Sequence, residues 1–312
     1  LGTRRILFID LAQVRLGMGE RTLALLGAMM NGLPGIRVVE VTESTNDDAM
    51  HLGRAGAPHG STVVARRQTL GRGRRGHVWV SPAGGLYLSV LVRPQVPREA
   101  LAAISVATAL GAFDACLSLG ASGVALKWPN DLVVPVGAEN PFGAKLAGIL
   151  VEVGEGPEGA FAVCGIGVNL VRGDRGAICP PAVRDGMAAP LPPAYLEDLL
   201  PEAARHRLRD GLCATATVFR DAMVSRVDAW ACALGQEPSC AGPLSPLLPD
   251  YLSHLAARGR SVLAVSADGT PICQGTLVSV DAFGKAHVIG GDGHVTVLSS
   301  ELCSLRPAVP GA

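Results

Sequence analysis

The stretch that most constrains the fold runs from Val124 to Leu170. It holds three strand-like segments in close succession, "VALKWPNDLVV", "KLAGILVEV" and "FAVCGIGVNL", divided by short loops. Just upstream, Glu99–Leu119 is apolar and Ala-rich, and Ser105 and Thr108 interrupt its longest run, Leu101–Phe113. That run falls short of the roughly 18 residues of a membrane span and reads as a buried helix. Further upstream, "IRVVEV", "STVVARRQ" and "GLYLSVLVRP" read as strands, the last ending at Pro94. Between the first two, "TESTNDDAM" reads as a helix start, with Ser44 or Thr45 as the cap and Asp47 and Asp48 in the first turn. Helices set between hairpin-connected strands predict an α+β domain with a mixed sheet.

Beyond Leu170 the texture changes twice. Residues 171–201 are rich in Pro, Gly and Arg and predict a long loop with short helical pieces. Residues 196–234 carry helix material, best in "VFRDAMVSRVDAWACAL". From Arg260 to Arg306 come short β segments parted by Gly turns, "SVLAVSADG", "ICQGTLVSVDAFG", "AHVIGGDG" and "HVTVLS". They predict a small all-β barrel of about 50 residues. The expected division is therefore a domain over 1–256, with an extension over 1–35 that includes a helix candidate at Glu20–Met30, and a β domain over 257–312.

Charge narrows the function classes. The 312 residues carry 27 basic and 27 acidic side chains, and this balance, with a pI near 7.2, argues against wrapping duplex DNA through bulk charge. Lysine occurs only at 127, 145 and 285; the other basic residues are Arg. From Ala49 to Arg98 there is no acid, yet eight Arg fall there. The eight Cys are scattered, without zinc spacing, and read as reduced thiols of a cytoplasmic protein.

Three clusters carry chemistry. "GRGRRG", Gly71–Gly76, sets Arg72, Arg74 and Arg75 on a glycine hinge between Gln68 and Trp79. Guanidinium groups bind phosphate or carboxylate bidentately, and glycine lets backbone close around a ligand. The alternative is a solvated or RNA-binding Arg loop. "LKWPNDL" places Lys127 beside a strand-breaking corner that carries Asn130, where a fixed cation suits a carboxylate attacking a phosphate ester. The alternative is an edge-strand Lys next to a structural Trp-Pro turn. "KLAGIL" and "GIGVNL" put Ala147, Gly148, Gly165 and Gly167 in apolar strands, which implies that something approaches the sheet closely; Asn169 ends the second. Tight packing with Asn169 as a turn former is the alternative there.

The ordered set "STN", Gln68, "GRGRRG", Trp79, "SPAGGLYLSV", "KWPNDL", "KLAGIL" and "GIGVNL" closely resembles the biotin–protein ligases, from about Val38 to Leu170. The resemblance implies a biotin/lipoate ligase-like catalytic domain followed by an SH3-like β domain. It implies attack of biotin's carboxylate on ATP, giving biotinyl-5′-AMP, then transfer to a lysine of a biotin carboxyl carrier domain, with Mg²⁺ accompanying the nucleotide. It implies biotin contacts at Ser44, Thr45, Asn46, Gln68, Arg72, Gly73, Arg74, Lys127 and Gly148. Nucleotide contacts are implied at Arg72, Arg74, Arg75, Trp79, Lys127, Asn130, Lys145 and Asn169, with Asn169 also facing Mg²⁺. Lys127 and Arg72 are the expected catalytic pair. A homodimer is one assembly it allows; no nucleic acid and no membrane are expected as partners.

Two departures stand out. Only about 37 residues precede the first matched strand, too few and too weakly basic for the winged-helix DNA-binding domain of bifunctional relatives. Twelve residues, 133–144, separate Leu132 from Lys145, more than the few that the resemblance implies for that hairpin. The runner-up readings are a lipoate or octanoate ligase of the same fold and, from another class, a biotin-sensing DNA-binding repressor.

Overall fold

The computed structural model describes residues 32–137, 140–172, 191–236, 241–266 and 268–308. The expected helix at Glu20–Met30, most of the 171–201 loop, Cys179 and Cys240 lie outside the described residues. Seven strands form the main sheet: β1 (Ile36–Thr42), β2 (Thr62–Gln68), β3 (Gly85–Val92), β4 (Ala125–Lys127), β5 (Asp131–Val136), β6 (Asn140–Gly156) and β7 (Gly159–Asn169). Their order is β1-β2-β3-β7-β6-β5-β4. β1 and β2 pair in parallel, because helix α1 (Thr45–Arg54) lies between them as a crossover; the other neighbouring strands of this sheet pair antiparallel. The sheet is mixed, as the sequence predicts.

Strand periodicity sorts the two faces. On β3, Leu86, Leu88, Val90 and Val92 join the main core; on β7, Ala162, Cys164, Ile166 and Val168 do the same. That core also takes up helix α2 (Ile104–Ser118), which follows a 3₁₀ stretch at Arg98–Ala103. Among the described residues the combined segment Arg98–Ser118 is long and apolar enough to cross a bilayer, but 78% of its apolar window is buried inside the fold. A helix apolar on every side is a core helix, and here it packs against the sheet.

After β7 come helices α3 (Leu196–Leu199), α4 (Glu202–Asp210) and the long α5 (Leu212–Gln236). Helix α5 lies against α2, close enough that a side chain at Gly111 would meet the Met223 backbone at 2.5 Å. On the opposite face of the sheet, Leu91, Phe161 and Val163 meet Ala49 and Met50 of α1 in a small separate cluster.

The segment between Leu132 and Lys145 is longer than the few residues expected there, and its extra length goes into the strands. β5 continues to Val136 and β6 begins at Asn140, so most of the extra residues lengthen the two strands, with shifts of register near Val134. Gly143 takes φ +50 at this irregularity, and a Cβ there would stand 1.9 Å from the Val134 carbonyl oxygen.

After helix α6 (Leu248–Ser253), strands β8 (Ser261–Ser266), β9 (Pro271–Val280), β10 (Ala286–Ile289), β11 (Val295–Leu298) and β12 (Cys303–Pro307) form an antiparallel sheet in the order β11-β10-β9-β8-β12. This agrees with the expected SH3-like module; β12 carries no turn signal of its own and is the strand that sequence texture misses. The described residues from Leu33 onward belong to one compact unit. Trp128 helps to make it so: its indole N–H donates to the Gly284 carbonyl at 2.9 Å, while Leu126 pairs in parallel with Leu255. The structural reading of the Trp-Pro corner therefore holds for Trp128.

Candidate functional site

On the α1 face of the sheet lies a cavity of about 260 Å³. Its floor is set by period-two geometry. Gly148, Leu150 and Glu152 of β6 pair directly with Gly167, Gly165 and Val163 of β7 and so point to the same side. The close approach implied by the glycines comes from the protein itself. A Cβ at Gly165 would meet Asn46 Oδ1 at 2.0 Å, and one at Gly167 would meet the Trp79 indole nitrogen at 2.2 Å.

At one end, the N-terminus of α1 presents Ser44, Thr45 and Asn46, all buried. Ser44 occupies the cap position, but its side chain makes no capping hydrogen bond; it lines the cavity instead. The Thr45 amide and hydroxyl both donate to Gln68 Oε1, at 2.9 and 3.1 Å. Gln68 Nε2 donates to Ser81 Oγ at 2.9 Å, and Ser81 donates to the Trp79 carbonyl. Ser89, on the cavity face of β3, lies 2.6 Å from Asn46 Oδ1 and 2.8 Å from Thr45 Oγ1. Asn46 Nδ2 donates to Glu152 at 2.8 Å and to the Leu150 carbonyl at 3.2 Å. These bonds fix the orientation of both side-chain amides.

The other end is cationic. Lys145 Nζ stands 2.7 Å from Asp131 Oδ1 and 5.2 Å from the Trp79 ring centre. Arg74 donates to the carbonyl and hydroxyl of Ser300, at 2.9 and 3.2 Å, which joins the glycine–arginine loop to the segment before β12. Burial, then Arg75 beside it, holds the Arg74 pKa below its usual value; burial does the same at Arg306. Arg75 sits at φ +54, with Nη1 buried and unpartnered. Arg306 Nε and Trp79 Nε1 are likewise buried without partners. Three unmatched donors on one cavity form a site that an anion would complete.

All the expected site residues line this cavity except Lys127. Its side chain is 1% exposed and lies behind Asp131, with Nζ 3.3 Å from Asp131 Oδ2 and 5.5 Å from the Phe142 ring centre. Lys127, expected to touch substrate, does not line this cavity, because β4 turns its side chain inward. Lys145 is the lysine at the surface of the site. Burial lowers the Lys127 pKa to about 8, against the pull of Asp131. Burial alone would raise Asp131, but Lys145 and Lys127 together hold it at about 2.

Arg72 lines the cavity and is already paired. Asp47 Oδ1 lies 2.6 Å and Glu152 Oε2 3.0 Å from its Nη2, so the acid-free window of the sequence is not acid-free in space. Sequence reasoning assigned no role to Ser81, Ser89, Asp131, Glu152, Ser300, Ser304 or Arg306. Asp131 had a signal in its motif; the C-terminal residues had none.

Asn130 Nδ2 donates to the Ile149 carbonyl and Asn169 Nδ2 to the Lys145 carbonyl, at 3.1 Å in the latter case. Both amide nitrogens are thus spent on backbone. Among the described residues no group of three His, Cys, Asp or Glu could hold a metal ion, and both oxygens of Asp131 face lysines. The residues present do not fit a resident Mg²⁺ at Asn169.

Residues 38–169 match the model of the Biotin/lipoate A/B protein ligase family. The chain is 43% identical over 145 residues to the biotin–[acetyl-CoA-carboxylase] ligase of Paracoccus denitrificans, covering 45% of this chain and 57% of that protein. It is 37% identical over 171 residues to the enzyme of the same name from Mycobacterium tuberculosis, covering 52% of this chain and 60% of that protein. The chain thus spans a little over half the length of these curated relatives. The biotin protein ligase of Aquifex aeolicus, solved with biotin and ATP, shares the fold with a TM-score of 0.60 at 22% identity, over 88% of this chain and all of that one.

Proposed function

We propose that this chain is an ATP-dependent biotin–protein ligase. The observation that carries the reading is the division of one cavity into a neutral, hydrogen-bonded end and an anion-seeking end, with Lys145 on the same lining. A neutral bicyclic ureide with a carboxylate tail suits the first, and a nucleotide triphosphate suits the second. The names of the two curated relatives support biotin as one of the two substrates.

In the first step a biotin carboxylate oxygen attacks the α-phosphorus of ATP. The P–O bond to the β-phosphate breaks, leaving biotinyl-5′-AMP and pyrophosphate. Both reactants are anionic, so Lys145, Arg74, Arg75 and Arg306 offset their repulsion and stabilise charge at phosphorus. Closure of the glycine–arginine loop keeps water from the anhydride. In the second step a lysine amine of a biotin carboxyl carrier domain attacks the acyl carbon. AMP departs, and the amine gives up a proton as the amide forms.

The deciding experiment is ATP–pyrophosphate exchange with biotin, lipoate and octanoate offered separately. Exchange driven by biotin alone is expected; exchange driven by lipoate or octanoate instead would transfer the reading to the acyl-ligase branch of the family.

A further inference from the structure

Glu152 is engaged by two residues that the sequence assigns to different parts of the site. Its Oε2 accepts from Asn46 Nδ2 at 2.8 Å and from Arg72 Nη2 at 3.0 Å. Asn46 lies at the start of α1 and is buried, whereas Arg72 lies on the glycine–arginine loop and is exposed. The same Arg72 Nη2 reaches Asp47 Oδ1, one residue beyond Asn46, at 2.6 Å. Asn46 is held at its other end by Ser89, so it has little freedom to follow the loop. Arg72 differs in this from Arg74, which is held by a carbonyl and a hydroxyl, and from Arg75, which has an unpartnered nitrogen. Of the three loop arginines, Arg72 is the one whose charge is already answered by carboxylates.

We propose that Glu152, aided by Asp47, is a positioning residue that pins the hinge of the glycine–arginine loop through Arg72 and couples the loop to the amide of Asn46. Arg72 is then a hinge pin rather than an anion ligand. The loop's anion-binding work passes to Arg74 and Arg75. Glu152 touches no substrate; it sets the orientation of Asn46 and the resting position of the loop at once. The inference deepens the proposed function and rests on it only for the part that concerns biotin.

The loop carries its own reporter, since trypsin cleaves after Arg74 and Arg75. Limited trypsinolysis of the full chain, with cuts within residues 72–76 followed by mass spectrometry, reads the pin without reference to activity. Two half-exposed ion pairs predict that Glu152→Gln and Arg72→Ala each speed cleavage after Arg74 and Arg75 by about fivefold. The double variant is expected to be no faster than Arg72→Ala alone, since that variant already removes the ion pairs to both Glu152 and Asp47. Wild-type cleavage rates, or single effects that multiply in the double variant, would overturn the proposal.

Biotin KM in pyrophosphate exchange separates the two jobs of Glu152. Gln keeps an acceptor for Asn46 and Ala does not, so Glu152→Gln should stay within about twofold of wild type while Glu152→Ala rises about tenfold. Equal KM values in the two variants would refute the coupling to Asn46. Were the wild-type chain to show no biotin-dependent exchange, the proposed function would fall, and biotin-independent protease protection would still report on the pin.

Discussion

At the α1 end of the cavity, Ser81, Gln68, Thr45, Ser89, Asn46 and Glu152 pass hydrogen bonds from one to the next. At the β12 end, Arg75, Arg306 and Trp79 each keep a buried donor with no partner. The first region is complete in the protein alone and can only select a shape and a hydrogen-bond pattern. The second carries an unmet electrostatic demand that a polyanion would satisfy. A pre-formed network confers specificity at little reorganisation cost, whereas unmatched cations lend binding energy to whichever anion arrives.

Variants that act on one end and spare the other test that contrast. Lys145→Ala is expected to have the largest effect, lowering the rate of adenylate formation by about 10²–10³-fold while the fold persists. A rate within tenfold of wild type, measured by single-turnover pyrophosphate release, would remove Lys145 from the chemistry. Gln68→Leu strips the acceptor from Thr45 and the donor from Ser81. Biotin KM should rise by about 30-fold with ATP KM little changed, the cost of buried groups left unpaired. Arg306→Met acts at the other end and should raise ATP KM by about tenfold while sparing biotin. If both variants moved both constants equally, the two ends would not be separable.

A pH profile sharpens the comparison further. Lys127 sits at about 8 rather than the usual 10.5, so it loses its proton as pH rises through about 8. The folded value is depressed, so this group's stabilising contribution is fully present above 10.5 and is lost as pH falls through about 8. Asp131, depressed to about 2 from 3.8, contributes stability above 3.8 that is lost as pH falls through about 2. Once Lys127 is neutral, Asp131 keeps Lys145 and the more distant Arg306 but loses one of its two lysine partners. The kcat/KM for adenylation should therefore fall as pH passes about 8, and Lys127→Arg should flatten that limb; an unchanged limb in the variant would assign it elsewhere. The smallest effect is structural. Trp128→Phe removes the bond to Gly284 and should cost about 1 kcal/mol, read as a lower denaturation midpoint with biotin KM unaltered.

How much of this was readable in the chain differs from element to element. The alternation of Leu86, Leu88 and Val90 against Tyr87, Ser89 and Leu91 announces a strand with two buried faces, and the sheet contains it. The glycines at 148, 165 and 167 announce a close approach, but the strings do not say that Asn46 and Trp79 make it. Lys127 shows the limit most clearly. Its motif marks it as special, yet whether a strand lysine faces the cavity or the core depends on which side the neighbouring strands leave open. Register across β4, β5 and β6 decided that in favour of Lys145.

The sequence by itself determined the mixed α+β architecture, the buried helix after β3, the β module and a set of site residues of which all but Lys127 line the cavity, because periodicity, turn chemistry and rare strings are local properties. Only the tertiary structure decided which charges meet. Asp47 and Glu152 reach Arg72 from outside its acid-free window. Ser300 reaches Arg74 from 226 residues away, and Asp131 stands between two lysines. Coulombic and hydrogen-bonding partners act over a few ångströms whatever their separation along the chain, so no local pattern in the sequence can record them.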